Sequence, residues 1–236
     1  IKRTNVHFDQ MSLNIKNATV AIEDSEFYNH RGIRITSIIR AVISNIFTSR
    51  TQGGSTITQQ LIKNTLLTKK VTIARKIKEW VLAIKLEQSL PKEKILEYYL
   101  NEVPYGGTIY GIEVASETYF HKKALDLTLA EAAYLAAIPQ APSVLSPYGK
   151  NRDKLEARKN LVLSRMLELK FITKEEYDRA RNEVVAFAPR AATGITAPHF
   201  VFFIKDYLEE KYGVQALEYG GLKVTTTLDA GLQEKA

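Results

Sequence analysis

The chain has 236 residues, 45% of them hydrophobic, enough to bury a core in one domain plus an appendage and too apolar for a disordered polymer. Lys and Arg total 33 against 26 Asp and Glu, a formal charge of +7, which favours an anionic partner such as nucleic acid, anionic lipid or a diphosphate. With no cysteine, disulfides, thiol nucleophiles and thiolate metal sites are excluded, and no run reaches the roughly 18 apolar residues of a membrane span, so any signal or anchor is expected to lie outside these residues.

Apolar residues recur at helical spacing through most of the chain, and capping boxes mark helix starts at Thr56 with Gln59, Thr128 with Glu131, and Thr173 with Glu176. The pattern predicts a mainly α domain with helices over Ile35 to Phe47, Thr56 to Leu67, Ile73 to Ser89, Pro91 to Asn101, Gly111 to Phe120, Thr128 to Ala137, Arg152 to Leu169 and Thr173 to Glu183. Pro91 suits a first helical turn, and Pro139, Pro142 and Pro147 end the helix before them. Between Asn182 and Pro198 the sequence dissolves into Ala, Thr, Gly and Pro and reads as a linker. Beyond it, Phe200 to Tyr212 is helical again, and Leu222 to Leu228 alternates like a short strand. The expected organisation is one domain over residues 1–181 and, over 182–236, a linker and the start of another region.

Four segments could carry chemistry. In Ala21-Ile22-Glu23-Asp24-Ser25-Glu26-Phe27-Tyr28-Asn29-His30-Arg31-Gly32, adjacent carboxylates follow an apolar run. A carboxylate at the edge of an apolar wall is a better base near neutral pH, because desolvation disfavours its charged form. The alternative is a helix start, with the acids near the positive end of the dipole and His30 merely hydrogen-bonded. In Gln52-Gly53-Gly54-Ser55-Thr56-Ile57-Thr58-Gln59-Gln60-Leu61-Ile62-Lys63, two glycines allow close approach, and Ser55 and Thr56 open a helix whose amides favour an anion. Gln59 and Lys63 share one face there. The segment lacks the Gly-Lys-Ser/Thr ending of a nucleotide-binding loop, and an ordinary glycine turn with a capping box stays open. In Arg75-Lys76-Ile77-Lys78-Glu79, Arg75 and Glu79 lie one turn apart, by default a surface pair worth about 0.3 to 0.5 kcal/mol. The cations from Lys63 through Lys69, Lys70, Arg75 and Lys76 to Lys78 would repel one another unless something anionic neutralised them. Finally, Lys94-Ile95-Leu96-Glu97-Tyr98-Tyr99-Leu100-Asn101 leads to Pro104-Tyr105-Gly106-Gly107, where Asn101 either caps the helix or contacts ligand.

In this order, EDSEFYNHRG, GGSTITQQLIKN, RKIKE and KILEYYLN resemble the motifs of family 51 glycosyltransferases, the peptidoglycan glycosyltransferases of class A (bifunctional) penicillin-binding proteins. They cover residues 23 to 101; LAEAAYLAAIPQAP, from Leu129 to Pro142, and RKNLVLSRM, from Arg158 to Met166, extend the match. The resemblance implies a lysozyme-like large lobe plus a small membrane-facing lobe. It further implies inverting transfer from an undecaprenyl-diphosphate-linked glycan to lipid II, forming a β-1,4 bond. Glu23 then matches the catalytic base, and Glu79 the second essential glutamate, organising the diphosphate with basic residues or a divalent cation such as Mg or Mn. Lys63, Arg75, Lys78, Ser55 and Thr56 are expected at the diphosphate, and Gln59 and Gln60 at sugar or phosphate oxygens. Asp24 and Asn101 complete the expected substrate contacts. No organic cofactor is expected.

The stripe Ile33, Ile35, Ile38, Ile39, Val42, Ile43, Ile46 and Phe47, interrupted by Arg34, Arg40 and Arg50, is either an amphipathic core helix or, as the resemblance implies, a surface dipping into the bilayer. The expected location is the outer face of a bacterial cell membrane, with an N-terminal anchor outside these residues. The tail Gly221-Leu222-Lys223-Val224-Thr225-Thr226-Thr227-Leu228-Asp229 is similar to the region leading to a transpeptidase domain. Ser89-Leu90-Pro91-Lys92 fits Ser-x-x-Lys, yet it sits between helices without a Lys-Thr-Gly partner, so no penicillin binding is expected. A lytic glycosidase would not need the cation cluster. A nucleic-acid-binding module would leave the two glutamates unexplained.

Overall fold

In the computed structural model the described residues are 4–34, 54–66, 72–189, 197–213, 217 and 222–233. The predicted helix 35–47, with Arg40, and Gln52, Gly53, Arg50, Lys69, Lys70 and Val71 lie outside them. The fold is mostly helical, and the chain divides into units of residues 1–188 and 189–236.

Among the described residues of the first unit the helices are α1 (Leu13–Glu23), α2 (Ile57–Thr65), α3 (Ile73–Ser89), α4 (Lys92–Glu102), α5 (Ile112–Phe120), α6 (Leu129–Ala137), α7 (Arg152–Glu168) and α8 (Lys174–Asn182). A two-stranded antiparallel hairpin, β1 (Pro104–Gly106) and β2 (Ile109–Tyr110), joins α4 to α5. The three capping boxes form as expected, each Thr accepting from the backbone of a Gln or Glu that reaches back to it. Helix α6 is buried from Ala130 to Ala137; its alanines leave room for α1 and α7, which pack on it and on each other. Helices α2, α3 and α4 form a second group, with α2 against both others.

Three elements differ from the sequence reading. Helix α1 was not expected, and it makes Glu23 the last residue of a helix rather than part of a helix start. The hairpin after α4 was also missed. Residues 222–228 form no strand: their backbone pairs with nothing regular and most of them are exposed, because an alternating segment needs a partner strand. In the second unit, α9 (Pro198–Tyr212) agrees with the expected helix. Among the described residues no helix is long and apolar enough to cross a membrane.

The loop after α1 is locked to α3 through Gly32, whose φ is +89° and where an added Cβ would lie 2.7 Å from the Ala83 carbonyl oxygen. Only glycine combines that φ with that approach. Gly32→Ala is expected to cost at least about 2 kcal/mol from backbone strain and overpacking, read as a lower midpoint in chemical denaturation.

Candidate active site

The Glu23 carboxylate sits where the two helix groups meet. From α2, Gln60 Nε2 donates to Glu23 Oε2 at 2.8 Å, and from α7, Arg158 Nη2 stands 3.8 Å from Oε1. Gln60 is itself fixed, since the Tyr99 hydroxyl of α4 donates to its Oε1 at 3.2 Å. Glu23 Oε1 is buried and accepts no hydrogen bond among the described residues. Burial pushes the hydroxyls of Tyr99 and Tyr105 well up, and the charge of Glu23 adds to this in both. Both tyrosines are therefore protonated at neutral pH. The result is a carboxylate with one oxygen held and one bare, the form a proton acceptor needs.

Asp24, next in the chain, has a different task. Only 1% exposed, it accepts from the Ile57 amide at 3.0 Å and contacts His30 Nε2 at 2.8 Å, while Arg34 Nε lies 3.7 Å away. The first amide of α2, expected to receive a ligand's anion, thus receives the chain's own Asp24. The Gly32 amide donates to His30 Nδ1 at 3.2 Å, which leaves Nε2 to carry the proton toward Asp24. Thr56 is saturated too: its hydroxyl donates to the Gly32 carbonyl at 2.7 Å and accepts from the Gln59 amide, and Gln59 Oε1 accepts from its backbone N–H at 2.8 Å. Asp24, Thr56 and Gln59 therefore tie the first motif to the second.

The second carboxylate, Glu79 on α3, is 1% exposed and paired with two cations, Lys76 Nζ on Oε1 and Arg75 Nη1 at 3.8 Å from Oε2. Lys76 also donates to the Ser55 hydroxyl at 3.1 Å. Sequence reasoning assigned no role to Lys76 and favoured Lys78. Both Lys63 and Lys78 are exposed, and Lys78, adjacent to Glu79 in a helix, cannot share its face. Ser55, which Lys76 contacts, and Gln60, which anchors Glu23, lie on either side of the start of α2. Among the described residues no three His, Asp or Glu side chains gather as a metal site would require. The neighbours of Glu79 are cations, so the donor set there does not fit a preassembled divalent-cation site.

Asn101 is engaged with the start of the chain: Oδ1 accepts from the Val6 amide at 3.1 Å, and Nδ2 donates to the Val6 and Glu97 carbonyls. It is the one expected site residue lining a cavity of about 460 Å³ between residues 5–7, α2 and α4. In the Ser-x-x-Lys segment, Ser89 Oγ donates to the Lys85 carbonyl while Lys92 pairs with Glu87 at 2.7 Å, so the two are turned to different partners.

Fold and site together define a helical domain organised around two buried carboxylates, one half free and one paired with cations. The chain belongs to the transglycosylase family, whose model matches residues 1–167. It is 44% identical to penicillin-binding protein 1A of Aquifex aeolicus (strain VF5), covering 100% of this chain and 32% of that protein. To penicillin-binding protein 1A of Escherichia coli (strain K12) it is 39% identical, covering 100% of this chain and 28% of that protein. The crystal structure of penicillin-binding protein 1A from Haemophilus influenzae matches with a TM-score of 0.52 at 25% identity, over 91% of this chain and 22% of that one. The chain therefore spans about a third or less of the length of these relatives.

Proposed function

We propose that this chain is a peptidoglycan glycosyltransferase domain that polymerises lipid II into β-1,4-linked glycan, with Glu23 as general base. The carrying observation is the bare, buried oxygen of Glu23 beside one anchored by Gln60. Glu23 Oε1 takes the proton of the acceptor's 4-hydroxyl as that oxygen bonds to the donor's anomeric carbon. The bond from that carbon to the diphosphate breaks, the electron pair leaves with undecaprenyl diphosphate, and configuration inverts. Positive charge placed where the leaving group develops negative charge lowers the barrier more than it holds substrate. The Ser55 hydroxyl with Lys76 and Arg75 is suited to that task, with Lys63 and Lys78 as outer contacts at the rim. Glu79 orients the two cations. Family membership, the names of the relatives and the +7 charge support this reading, as they do work at the outer face of a bacterial membrane and a tail leading toward a transpeptidase domain.

Incubated with purified lipid II, the chain is expected to yield muramidase-sensitive polymer and one undecaprenyl diphosphate per bond formed. Release of soluble sugar from finished cell wall, without polymer, would instead favour a lytic glycosidase. Gln60→Ala frees the carboxylate from its anchor. It is expected to lower kcat by about 10- to 100-fold, as misplacement of a reacting group does, with KM little changed in the same assay.

A further inference from the structure

Among the described residues one full charge of opposite sign faces Glu23, and it comes from a distant part of the chain. Arg158 on α7 holds Nη2 3.8 Å from Glu23 Oε1, with both side chains largely buried at 16% and 13% exposure. Its Nε donates to the Ala137 carbonyl at 3.2 Å, so the guanidinium is fixed by backbone and does not depend on Glu23 for its place. At 3.8 Å it stops short of a hydrogen bond, so Glu23 Oε1 feels the charge while its hydrogen-bonding capacity stays unused among the described residues. Among the described residues, the other groups facing Glu23 are Gln60 from α2, Tyr99 from α4 and Tyr105 from β1, all uncharged at neutral pH, and on its own segment Asp24, which is engaged by His30, Arg34 and the Ile57 amide.

We infer that Arg158 is a positioning residue whose backbone-fixed guanidinium faces the unbonded oxygen of Glu23, and that the pH dependence of activity depends on it. The inference rests on the reading of Glu23 as base. A guanidinium beside a carboxylate favours the charged form that a proton acceptor needs. Burial lowers the pKa of Arg158 itself and the charge of Glu23 opposes this, the reciprocal of the same coupling. Arginine suits the position because it stays charged when partly buried, where lysine titrates more readily.

The test is the pH profile of kcat/KM for lipid II polymerisation by the parent chain, Arg158→Gln, Arg158→Met and Arg158→Lys, with Glu23→Gln alongside. The two neutral variants are expected to move the acid limb upward by about 1 pH unit or more, a tenfold loss at a pH on that limb, and Arg158→Lys to restore most of it. The position of a limb does not depend on how much of a preparation is folded. Arg158→Gln can still donate to Ala137, which separates charge from packing. Acid limbs unchanged in the neutral variants, with Glu23→Gln inactive, would overturn the role of Arg158 and leave the base assignment standing. An active Glu23→Gln would overturn the base assignment first.

Discussion

Glu23→Gln is expected to lower lipid II polymerisation by about 100- to 10,000-fold, the usual loss when a general base is removed, while leaving the fold intact. The amide keeps the shape of the carboxylate and can still accept from Gln60 through its oxygen. It also withdraws the charge that faces Arg158 at 3.8 Å, so the thermal midpoint is expected to fall modestly while the chain stays folded. Activity and stability thus part company at this residue. Rate measurements paired with thermal unfolding on the same preparation check both halves, and a variant that loses both would mark Glu23 as structural.

One residue on, the opposite holds. Asp24→Ala withdraws the acceptor that His30 and the Ile57 amide use and leaves Arg34 facing an empty site. Buried groups stripped of a charged partner typically cost about 3 to 5 kcal/mol, and with roughly 2 to 4 °C per kcal/mol for a domain of this size the midpoint should fall by about 10 °C or more. Asp24→Asn keeps an oxygen for the Ile57 amide and should cost clearly less. Calorimetry on the two variants distinguishes this anchoring role from direct substrate contact, which would lower turnover while sparing the midpoint.

The contrast between these neighbours shows where sequence reading reaches and where it stops. Helices opening with Thr-x-x-Gln or Thr-x-x-Glu were legible because the capping box is local, and all three formed. Helix α1 was not. Its cap, Ser12, accepts from the Ile15 amide with no Glu or Gln to reciprocate, and Ile15, Ala18, Thr19, Val20 and Ala21 are buried nearly all round it, which erases the 3.6-residue stripe. Without α1, Asp24 could be named as a candidate contact but not as the acceptor of the first amide of α2. The pairing of Lys76 with Glu79 was legible in the spacing, since groups three and four positions from Glu79 share its face and an immediate neighbour does not. Arg158 was beyond spacing arguments altogether. Its contact with Glu23 joins distant parts of the chain, and only its place in a matched block hinted at importance.

The central claim is that one carboxylate oxygen and one cluster of cations act on the two ends of the same forming and breaking bonds. A crystal structure of this chain with lipid II and a donor analogue, its anomeric oxygen replaced by methylene, tests that directly. The acceptor 4-hydroxyl is expected within about 3 Å of Glu23 Oε1 and the diphosphate against Ser55, Lys76 and Arg75. An acceptor hydroxyl turned away from Glu23, or a diphosphate seated elsewhere, would contradict it.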